Sequence, residues 1–391
     1  MSRSRVARVC GVVAVLLALA AVASCGRPAP PAATSTTSTT AAPETVAPHT
    51  DIPATTTPSV APAPEFAPIA QLVNEAVSAH RLPGAVVQIG HGGRIVLRQA
   101  FGERKLAGEP GLDGSPAPAE PMTEDTIFDL ASLTKSIATT PAVLQMYEQG
   151  RIQLDDPVQA YLPGFNPDND PRRARVTLRM LMTHTSGIAG DLSLDGPWGL
   201  SSADKAEGLH RALGAWVVFE PGERFHYSDI NFILLGEIIR LASGQPLDEF
   251  AAKHIYRPLG MRDTGFLQPL AKRSRIAPTE RVDGKILHGT VHDPTSRRMG
   301  GVAGHAGLFT TAADLSRFAR MMLNGGKLNG RRVLKRETVR LMTSVHTPKG
   351  MKAKRGLGWD IDSPYSSPRG NHFKIGGYGH TGWTGGSLWI D

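Results

Sequence analysis

The chain has 391 residues, of which 41% are hydrophobic and 20% charged, so it is long and apolar enough to fold around a large core. Only two cysteines are present, which excludes a small disulfide-stapled scaffold. The formal net charge is +8 without a clustered basic helix, so nucleic acid is not expected as a partner.

The first twenty-five residues have the organisation of a secretory signal. Three arginines precede an apolar run over residues 9 to 23, which is shorter than the roughly twenty apolar residues of a bilayer span. The run ends in Val-Ala-Ser-Cys25, which resembles a bacterial lipobox, whose cysteine is lipidated. We therefore predict a signal peptide over residues 1–24 and an exported protein anchored to the outer face of the cell membrane through Cys25. The alternative is a small-residue cleavage site that carries a cysteine by chance.

Residues 25–65 consist almost entirely of Pro, Thr, Ala and Ser. A segment of this composition cannot bury enough apolar surface to fold. As an extended chain it would reach on the order of 100 Å. We interpret it as a disordered tether, or as a passive spacer, in front of a folded domain over residues 66–391.

The hydrophobic pattern of the folded part indicates strands at both ends and helices between them. A helix starts near Phe66 and is followed by a hairpin and a short strand over residues 126–130. A helix of about sixteen residues falls within 131–150. Further helices are predicted over 178–183, 231–242, 247–255 and 312–323, and later strands over 356–361 and 385–391. This order predicts an α+β fold.

Ser132-Leu-Thr-Lys135 is the candidate nucleophilic motif. A three-residue step on a helix places both side chains on one face, so the lysine amine can reach the serine hydroxyl. A serine at a helix start also points its own N–H toward an oxyanion. Taken alone, the pair is equally well explained as a helix cap and a solvated charge.

The chain contains a second copy of this spacing, Ser202-Ala-Asp-Lys205. It lies in a polar stretch and has the character of a surface helix cap. Ser132 instead follows an apolar strand and opens an apolar helix, which is the context of a buried nucleophile. The spacing therefore favours Ser132.

Other chemistries find less support in the sequence. The closing stretch matches G-x-G-x-x-G at Gly377, Gly379 and Gly382, but no βαβ unit and no ribose-binding acid follow, so the match is a coincidence. There is no G-x-S-x-G elbow of an α/β-hydrolase. No His or Cys spacing indicates a metal, and we expect no cofactor.

Three motifs in order, Ser132-Leu-Thr-Lys135, Tyr227-Ser-Asp229 and His380-Thr-Gly382, resemble those of the serine β-lactamase and penicillin-binding protein superfamily, in its class C β-lactamase, DD-peptidase and esterase branch. The stretches LRMLMTHTSGI and GGVAGHAGLFTTAADLSRFARMML are similar too. The resemblance implies an antiparallel sheet flanked by helices, with an inserted, mostly helical subdomain over about 150–300.

The resemblance also implies roles for individual residues. Ser132 would form the acyl-enzyme, and Lys135, if kept neutral by desolvation and nearby positive charge, would accept or relay its proton. Tyr227 would be the second proton carrier, and which of the two is the base stays open. The N–H groups of Ser132 and Trp383 would bind the oxyanion.

Four residues, Asp229, His380, Thr381 and Gly382, would line the substrate pocket by the same resemblance. Two of them depart from the family pattern. Asp229 stands where an amide donor is common, and a carboxylate can only accept. His380 stands where lysine is usual and carries less charge near pH 7. These departures favour esters or weak peptidase activity over strong β-lactam hydrolysis. We interpret His184 and His305 as packing or loop-ordering residues.

The predicted function is a penicillin-binding or DD-carboxypeptidase-like serine hydrolase acting on peptidoglycan stem peptides. Ester hydrolysis of small acyl esters and β-lactam hydrolysis are the alternatives within the family. A non-catalytic wall-binding lipoprotein is the alternative from another class. The family fold continues past the His-Thr-Gly strand with two strands and a helix, so we also expect that a chain ending at Asp391 is a truncated product. An inactive truncated product is a further alternative.

Overall fold

The folded part begins with a helix and a β-hairpin. The computed structural model describes residues 64–366, 369 and 376–391, so the predicted signal peptide, Cys25 and nearly all of the tether lie outside the described residues. Helix α1 spans Ala67–Ser78, and strands β1 (Gly84–His91) and β2 (Arg94–Lys105) pair antiparallel around a Gly-Gly turn. Strand β3 (Glu120–Pro121) extends this sheet beside β2. The predicted helix and hairpin are confirmed.

The helix that follows Ser132 is not regular. After the short strand β4 (Phe128–Asp129), a π-helical turn over Lys135–Thr139 leads into helix α2 (Thr140–Glu148). The prediction of one regular helix is therefore wrong in its first turns. Pro141 has no N–H to continue the usual ladder, and the N–H of Thr140 instead bonds to the carbonyl of Lys135 across a wider turn.

The middle of the chain is mostly helical, with one small hairpin. Its elements are α3 (Pro171–Ala174), α4 (Leu178–Thr183), α5 (Lys205–Leu213), α6 (Asp229–Ser243), α7 (Leu247–Ala251), a π-helical turn (Ala252–Tyr256), α8 (Arg257–Leu259), β5 (Arg281–Val282), β6 (Lys285–Ile286) and α9 (Pro294–Arg298). Short 3-10 helices lie at Val158–Ala160, Pro163–Phe165 and Leu270–Arg275. The helices predicted over 178–183 and 231–242 are confirmed, and the one predicted over 247–255 passes into a π-helical turn after Ala251. Helices α3, α5, α8 and α9 were not predicted.

A second sheet closes the described chain. The elements that precede this sheet along the chain are β7 (Phe309–Thr310), α10 (Ala312–Leu323), β8 (Lys327–Leu328), β9 (Arg331–Arg332) and α11 (Arg336–Thr343). The sheet itself contains β10 (Lys354–Arg355), β11 (Asp360–Asp362), β12 (Tyr378–Thr381) and β13 (Ser387–Ile390) in that order, all antiparallel. The strand predicted over 356–361 is shorter because Gly358 adopts a positive φ of 70° and turns the chain.

Helix α6 lies at the centre of the core. Eight of its fifteen residues are buried, and it contacts α2, α4, α5 and α7. Within the described residues, the β1–β3 sheet and the β10–β13 sheet are separate. Among the helices that the structure describes, none combines the length and apolar character needed to span a bilayer.

Candidate active site

A tight turn presents Ser132 between β4 and the π-helical turn. The preceding residue, Ala131, has a left-handed backbone with φ of 44°, which is unusual for a residue with a side chain. The buried carboxylate of Asp129 holds this turn by accepting the N–H of Ala131 at 2.8 Å and that of His292 at 2.7 Å. Asp129 therefore fixes the nucleophile turn, and burial raises the pKa of its carboxyl.

Lys135 is fully buried and points back at the serine. Its Nζ donates to Ser132 Oγ at 3.0 Å and to the carbonyl of His305 at 3.0 Å. The same Nζ lies 2.6 Å from Asp229 Oδ1. The predicted contact between the Lys135 amine and the Ser132 hydroxyl is therefore present, although the turn that follows is wider than an α-helical turn.

The charge on Lys135 differs from the prediction. Burial would lower the pKa of this amine, but the charge of Asp229 and the hydroxyl of Tyr227 outweigh burial and raise the pKa above its ordinary value. A neutral lysine was the condition for Lys135 to accept the serine proton, and the resting site does not meet it, because a carboxylate is the nearest charge. Lys135 is therefore an ammonium that donates to Ser132 in the resting site.

Asp229 lies against Lys135 at the start of α6. Its N–H donates to the carbonyl of Gly190 at 2.7 Å, which brings Asp191 beside it. Burial, followed by the charge of Asp229, raises the pKa of the Asp191 carboxyl. The carboxylate predicted to line the substrate pocket thus also serves as the counterion of the catalytic lysine.

The ring of Tyr227 packs against two other aromatic rings. The imidazole of His184 stacks on its ring with centroids 4.2 Å apart, and the ring of Tyr365 lies 5.2 Å away on a tilt. The Nδ1 atom of His184 accepts the N–H of Ser228 at 3.1 Å, so its proton is on Nε2. Burial, followed by the charge of Arg355, holds the pKa of His184 well below its ordinary value. His184 is a neutral ring that positions the phenol.

The turn between β12 and β13 packs directly on the nucleophile turn. A Cβ at Gly382 would stand 2.3 Å from the carbonyl oxygen of Leu130, so only glycine fits. The hydroxyl of Thr384 donates to the carbonyl of Asp129 at 2.7 Å. Among the described residues, the N–H groups of Ser132 and Trp383 have no hydrogen-bond acceptor. Both are thus available to an oxyanion, although the Trp383 side chain is 83% exposed.

The His380 side chain is buried and does not supply a positive charge to the site. Its Nδ1 contacts the carbonyl of Thr381 at 2.7 Å, and its Nε2 has no partner in the described part of the chain. Burial, then Arg355 and Lys135, hold the pKa of His380 well below its ordinary value. Arg355 itself is fully buried, with its nearest carboxylate, Asp360, at 3.6 Å. The fixed positive charge near this end of the site therefore belongs to Arg355, which the sequence did not single out.

The Asp293 and His305 pair was also missed from the sequence. His305 Nε2 lies 2.8 Å from Asp293 Oδ1, and the same carboxylate accepts the N–H of Ser296 at the start of α9. Burial would lower the pKa of His305, but Asp293 raises it above its ordinary value. The carbonyl of His305 accepts a hydrogen bond from Lys135. This contact is consistent with the loop-ordering role expected for His305. The Asp before a Pro-initiated helix was the one available signal for this pair.

Asp229, Asp293 and His305 converge closely enough to hold a metal ion, with ligand atoms within 4.8 Å of one another. The ammonium of Lys135 already lies against the carboxylate of Asp229 and the carbonyl of His305. The cluster therefore has a cation supplied by the chain itself. We interpret it as the electrostatic support of Lys135.

The second Ser-x-x-Lys sequence lies on the surface. Ser202 is exposed, and the cap of α5 is Asp204, whose Oδ1 accepts the N–H of Glu207 at 2.9 Å. A helix cap was expected here, and it is present two residues after Ser202, at Asp204. The structure thus places one Ser-x-x-Lys pair in a buried site and the other in solvent.

A serine at a strained helix start, a buried lysine within hydrogen-bond distance and two free backbone N–H groups define a serine hydrolase of the acyl-enzyme type. The model of the Beta-lactamase family matches residues 69–391. The chain belongs to this family, whose members include D-alanyl-D-alanine carboxypeptidases, β-lactamases and esterases, and the predicted α+β fold is confirmed.

Three similar proteins illustrate the range of the family. The chain is 35% identical to an Escherichia coli (strain K12) protein whose name places it among D-alanyl-D-alanine carboxypeptidases, over 76% of this chain and 73% of that one. It is 32% identical to the N-acetylmuramyl-L-alanine amidase of Bacillus subtilis, over 79% of this chain and 74% of that one. Among solved structures, EstCE1, a hydrolase with promiscuous acyltransferase activity, superposes with a TM-score of 0.65 at 25% identity, covering 83% of this chain and 90% of the other.

Proposed function

We propose that the protein is a D-alanyl-D-alanine carboxypeptidase that cleaves peptidoglycan stem peptides through an acyl-enzyme on Ser132. The observation that carries the proposal is the 3.0 Å contact between Lys135 Nζ and Ser132 Oγ, at a turn packed against the Gly382 segment. The name of the Escherichia coli relative supports the substrate class. Tyr227 and Lys135 share the proton transfers, and the N–H groups of Ser132 and Trp383 stabilise the tetrahedral oxyanion.

The experiment is release of D-alanine from a synthetic peptide that ends in D-Ala-D-Ala. We expect turnover by the wild type and by Ser202→Ala, and a loss of about 10³-fold or more in Ser132→Ala. The Ser202 variant is a matched control because it removes a hydroxyl from the same Ser-x-x-Lys spacing in solvent. Activity retained by Ser132→Ala would show that Ser132 is not the nucleophile.

A second candidate activity is cleavage of the amide bond between a muramyl group and L-alanine. The observation that favours it is His380, which is buried and uncharged where a carboxylate-binding cation would be expected. A substrate without a carboxylate next to the scissile bond suits such a site. The relative in Bacillus subtilis carries this activity in its name. Release of the peptide from an N-acetylmuramyl peptide in which further residues follow L-alanine, without release of D-alanine from the D-Ala-D-Ala peptide, would replace the first candidate by this one.

Ester and β-lactam hydrolysis are tested with the same variants. Hydrolysis of a p-nitrophenyl ester that is faster than turnover of both wall substrates would favour the esterase alternative. Labelling of Ser132 by a fluorescent penicillin would support the penicillin-binding assignment. A wild type that neither turns over any substrate nor becomes labelled would instead be the non-catalytic wall-binding protein.

We further infer that the protein is exported and held on the outer face of the membrane by a lipid on Cys25. The support is the order of basic residues, apolar run and Ala-Ser-Cys25 in the sequence. The Pro- and Thr-rich segment that follows would let the enzyme reach wall peptides. Cell fractionation of the wild type and Cys25→Ala tests this, because equal recovery in the membrane fraction would rule out the anchor.

A further inference from the structure

One face of the protein concentrates unpaired positive charge. We define this cationic face by Lys327, Arg331, Arg332, Lys335, Arg336 and Arg340, all of which are exposed. Glu337 is the one acidic residue between positions 327 and 340. Because the whole chain carries a formal charge of +8, this short segment accounts for most of the excess. The positive charge is not confined to one helix, since the residues are divided between the β8–β9 hairpin and α11.

The cations of the cationic face are not paired with carboxylates among the residues that the structure describes. In the described residues, none of its six side chains takes part in an ion pair, whereas exposed arginines elsewhere do, such as Arg175 with Glu220 and Arg240 with Glu237. Arg332 donates instead to the carbonyls of Gly325 and Leu334, at 2.9 Å each. The guanidinium of Arg332 is thus fixed by the backbone and keeps its charge available.

A groove of about 410 Å³ runs along the edge of this face. Arg332 and Lys335 line it together with Lys253, which belongs to the π-helical turn after α7. Glu148 also lines the groove, but its Oε1 accepts the backbone N–H of Lys335 at 2.6 Å. Cations from separate elements around one groove suit a narrow polyanion better than a flat anionic surface, because several of them can then contact one chain of charges.

The groove lies far from the nucleophile. Gln145, Glu148 and Gln149 of its lining belong to the C-terminal end of α2, whereas Ser132 precedes the first turn of the same helical run. About sixteen residues at 1.5 Å each separate the two ends by roughly 24 Å. A partner bound at the cationic face therefore leaves the active site open.

We propose that the cationic face binds a linear polyanion with one phosphate in each repeating unit. Four of its six cations are arginines, whose planar guanidinium binds phosphate oxygens in pairs. Binding releases counterions from the polymer, so the affinity falls steeply with salt. The proposal is independent of the substrate of Ser132, because it concerns a different surface.

The test is binding of the full chain to fluorescent poly(glycerol phosphate), measured by anisotropy between 50 and 300 mM NaCl. The variant Arg331→Glu/Lys335→Glu reverses two charges of the face. Its control, Arg81→Glu/Arg94→Glu, makes the same change in net charge at two exposed residues outside the face. We expect the first variant to bind at least about tenfold more weakly and the control to stay within about threefold of the wild type. Hydrolysis of a p-nitrophenyl ester should be equal in both.

Three outcomes would overturn the proposal. Equal weakening by both variants would mean that only net charge matters. Absence of polymer binding at 50 mM NaCl would show that the face has no such partner. Tighter binding to vesicles of phosphatidylglycerol and phosphatidylcholine than to the polymer, lost in Arg331→Glu/Lys335→Glu, would assign the face to a membrane surface instead.

Discussion

The Nζ of Lys135 lies 2.6 Å from Asp229 Oδ1 and 3.0 Å from Ser132 Oγ, so one buried ammonium joins the nucleophile to a carboxylate. In this state the lysine donates to the serine and cannot accept its proton. The serine proton therefore leaves to Tyr227, or to Lys135 after the lysine has passed a proton to Asp229. The identity of Asp229 thus controls the charge at the centre of the site.

Asp229→Asn should change the pH dependence of catalysis. The carboxylate raises the pKa of Lys135, so its removal leaves burial as the larger effect and lowers that pKa. We expect the limb of the kcat/KM profile that reports Lys135 to move to lower pH by at least about one unit, which corresponds to about 1.4 kcal/mol. The exposed Asp195→Asn is the control. Identical pH profiles for wild type and Asp229→Asn would show that Asp229 does not control the charge of Lys135.

Asp293→Asn should destabilise the fold in a pH-dependent way. The pKa of His305 is raised by Asp293, so the pair contributes stability that is present below the unfolded pKa of histidine and is lost as pH rises through the raised value. We expect a loss of about 2–3 kcal/mol in urea unfolding near pH 6, because one partner of a mostly buried pair is removed. The difference from wild type should shrink toward pH 9. A difference that stays constant from pH 6 to 9 would contradict a charged pair.

Gly382→Ala should impair catalysis through the position of the β12–β13 turn. The added Cβ would meet the carbonyl oxygen of Leu130 at 2.3 Å and push the Trp383 N–H away from Ser132. We expect kcat/KM to fall by about 100-fold, since small displacements of an oxyanion donor have such effects. Gly386→Ala is the matched control, because its Cβ would make only ordinary contact with Leu133, at 3.5 Å. Equal activities of the two variants would exclude the Gly382 contact as a determinant.

His380→Gln should test whether His380 acts as an uncharged residue. Its pKa is held well below the ordinary value by burial and by Arg355, so the wild-type side chain is uncharged near neutral pH. We expect the ratio of wild-type to variant ester hydrolysis to be constant between pH 6 and 8 and to stay within about tenfold. A ratio that titrates between pH 6 and 7 would show that a charged His380 takes part.

The elements that carry the motifs could be predicted because their signals are local. The three-residue step from Ser132 to Lys135 and the apolar spacing of α4, α6 and α10 are properties of short segments. The π-helical turn was missed because the prediction gave weight to apolar spacing and not to the missing donor of Pro141. The strand predicted over 356–361 starts only at Asp360, as β11, because Gly358 turns the chain inside this run.

The electrostatic support of the site could not be predicted in the same way. The contact between Lys135 and the His305 carbonyl joins residues 170 positions apart. The burial of Arg355 depends on the packing of β10 against Phe225 and Asp360, and its sequence neighbours resemble those of exposed arginines. Long-range contacts of this kind decide the charges of Lys135 and His380, so the sequence indicated where Lys135 lies but not whether it is charged.

The most direct test of the acyl-enzyme on Ser132 is mass spectrometry of the protein after brief reaction with a p-nitrophenyl ester at low pH. The account predicts one acyl group on the peptide that contains Ser132, the same adduct in Ser202→Ala and none in Ser132→Ala. An acyl group on another residue, or an adduct that persists in Ser132→Ala, would contradict it.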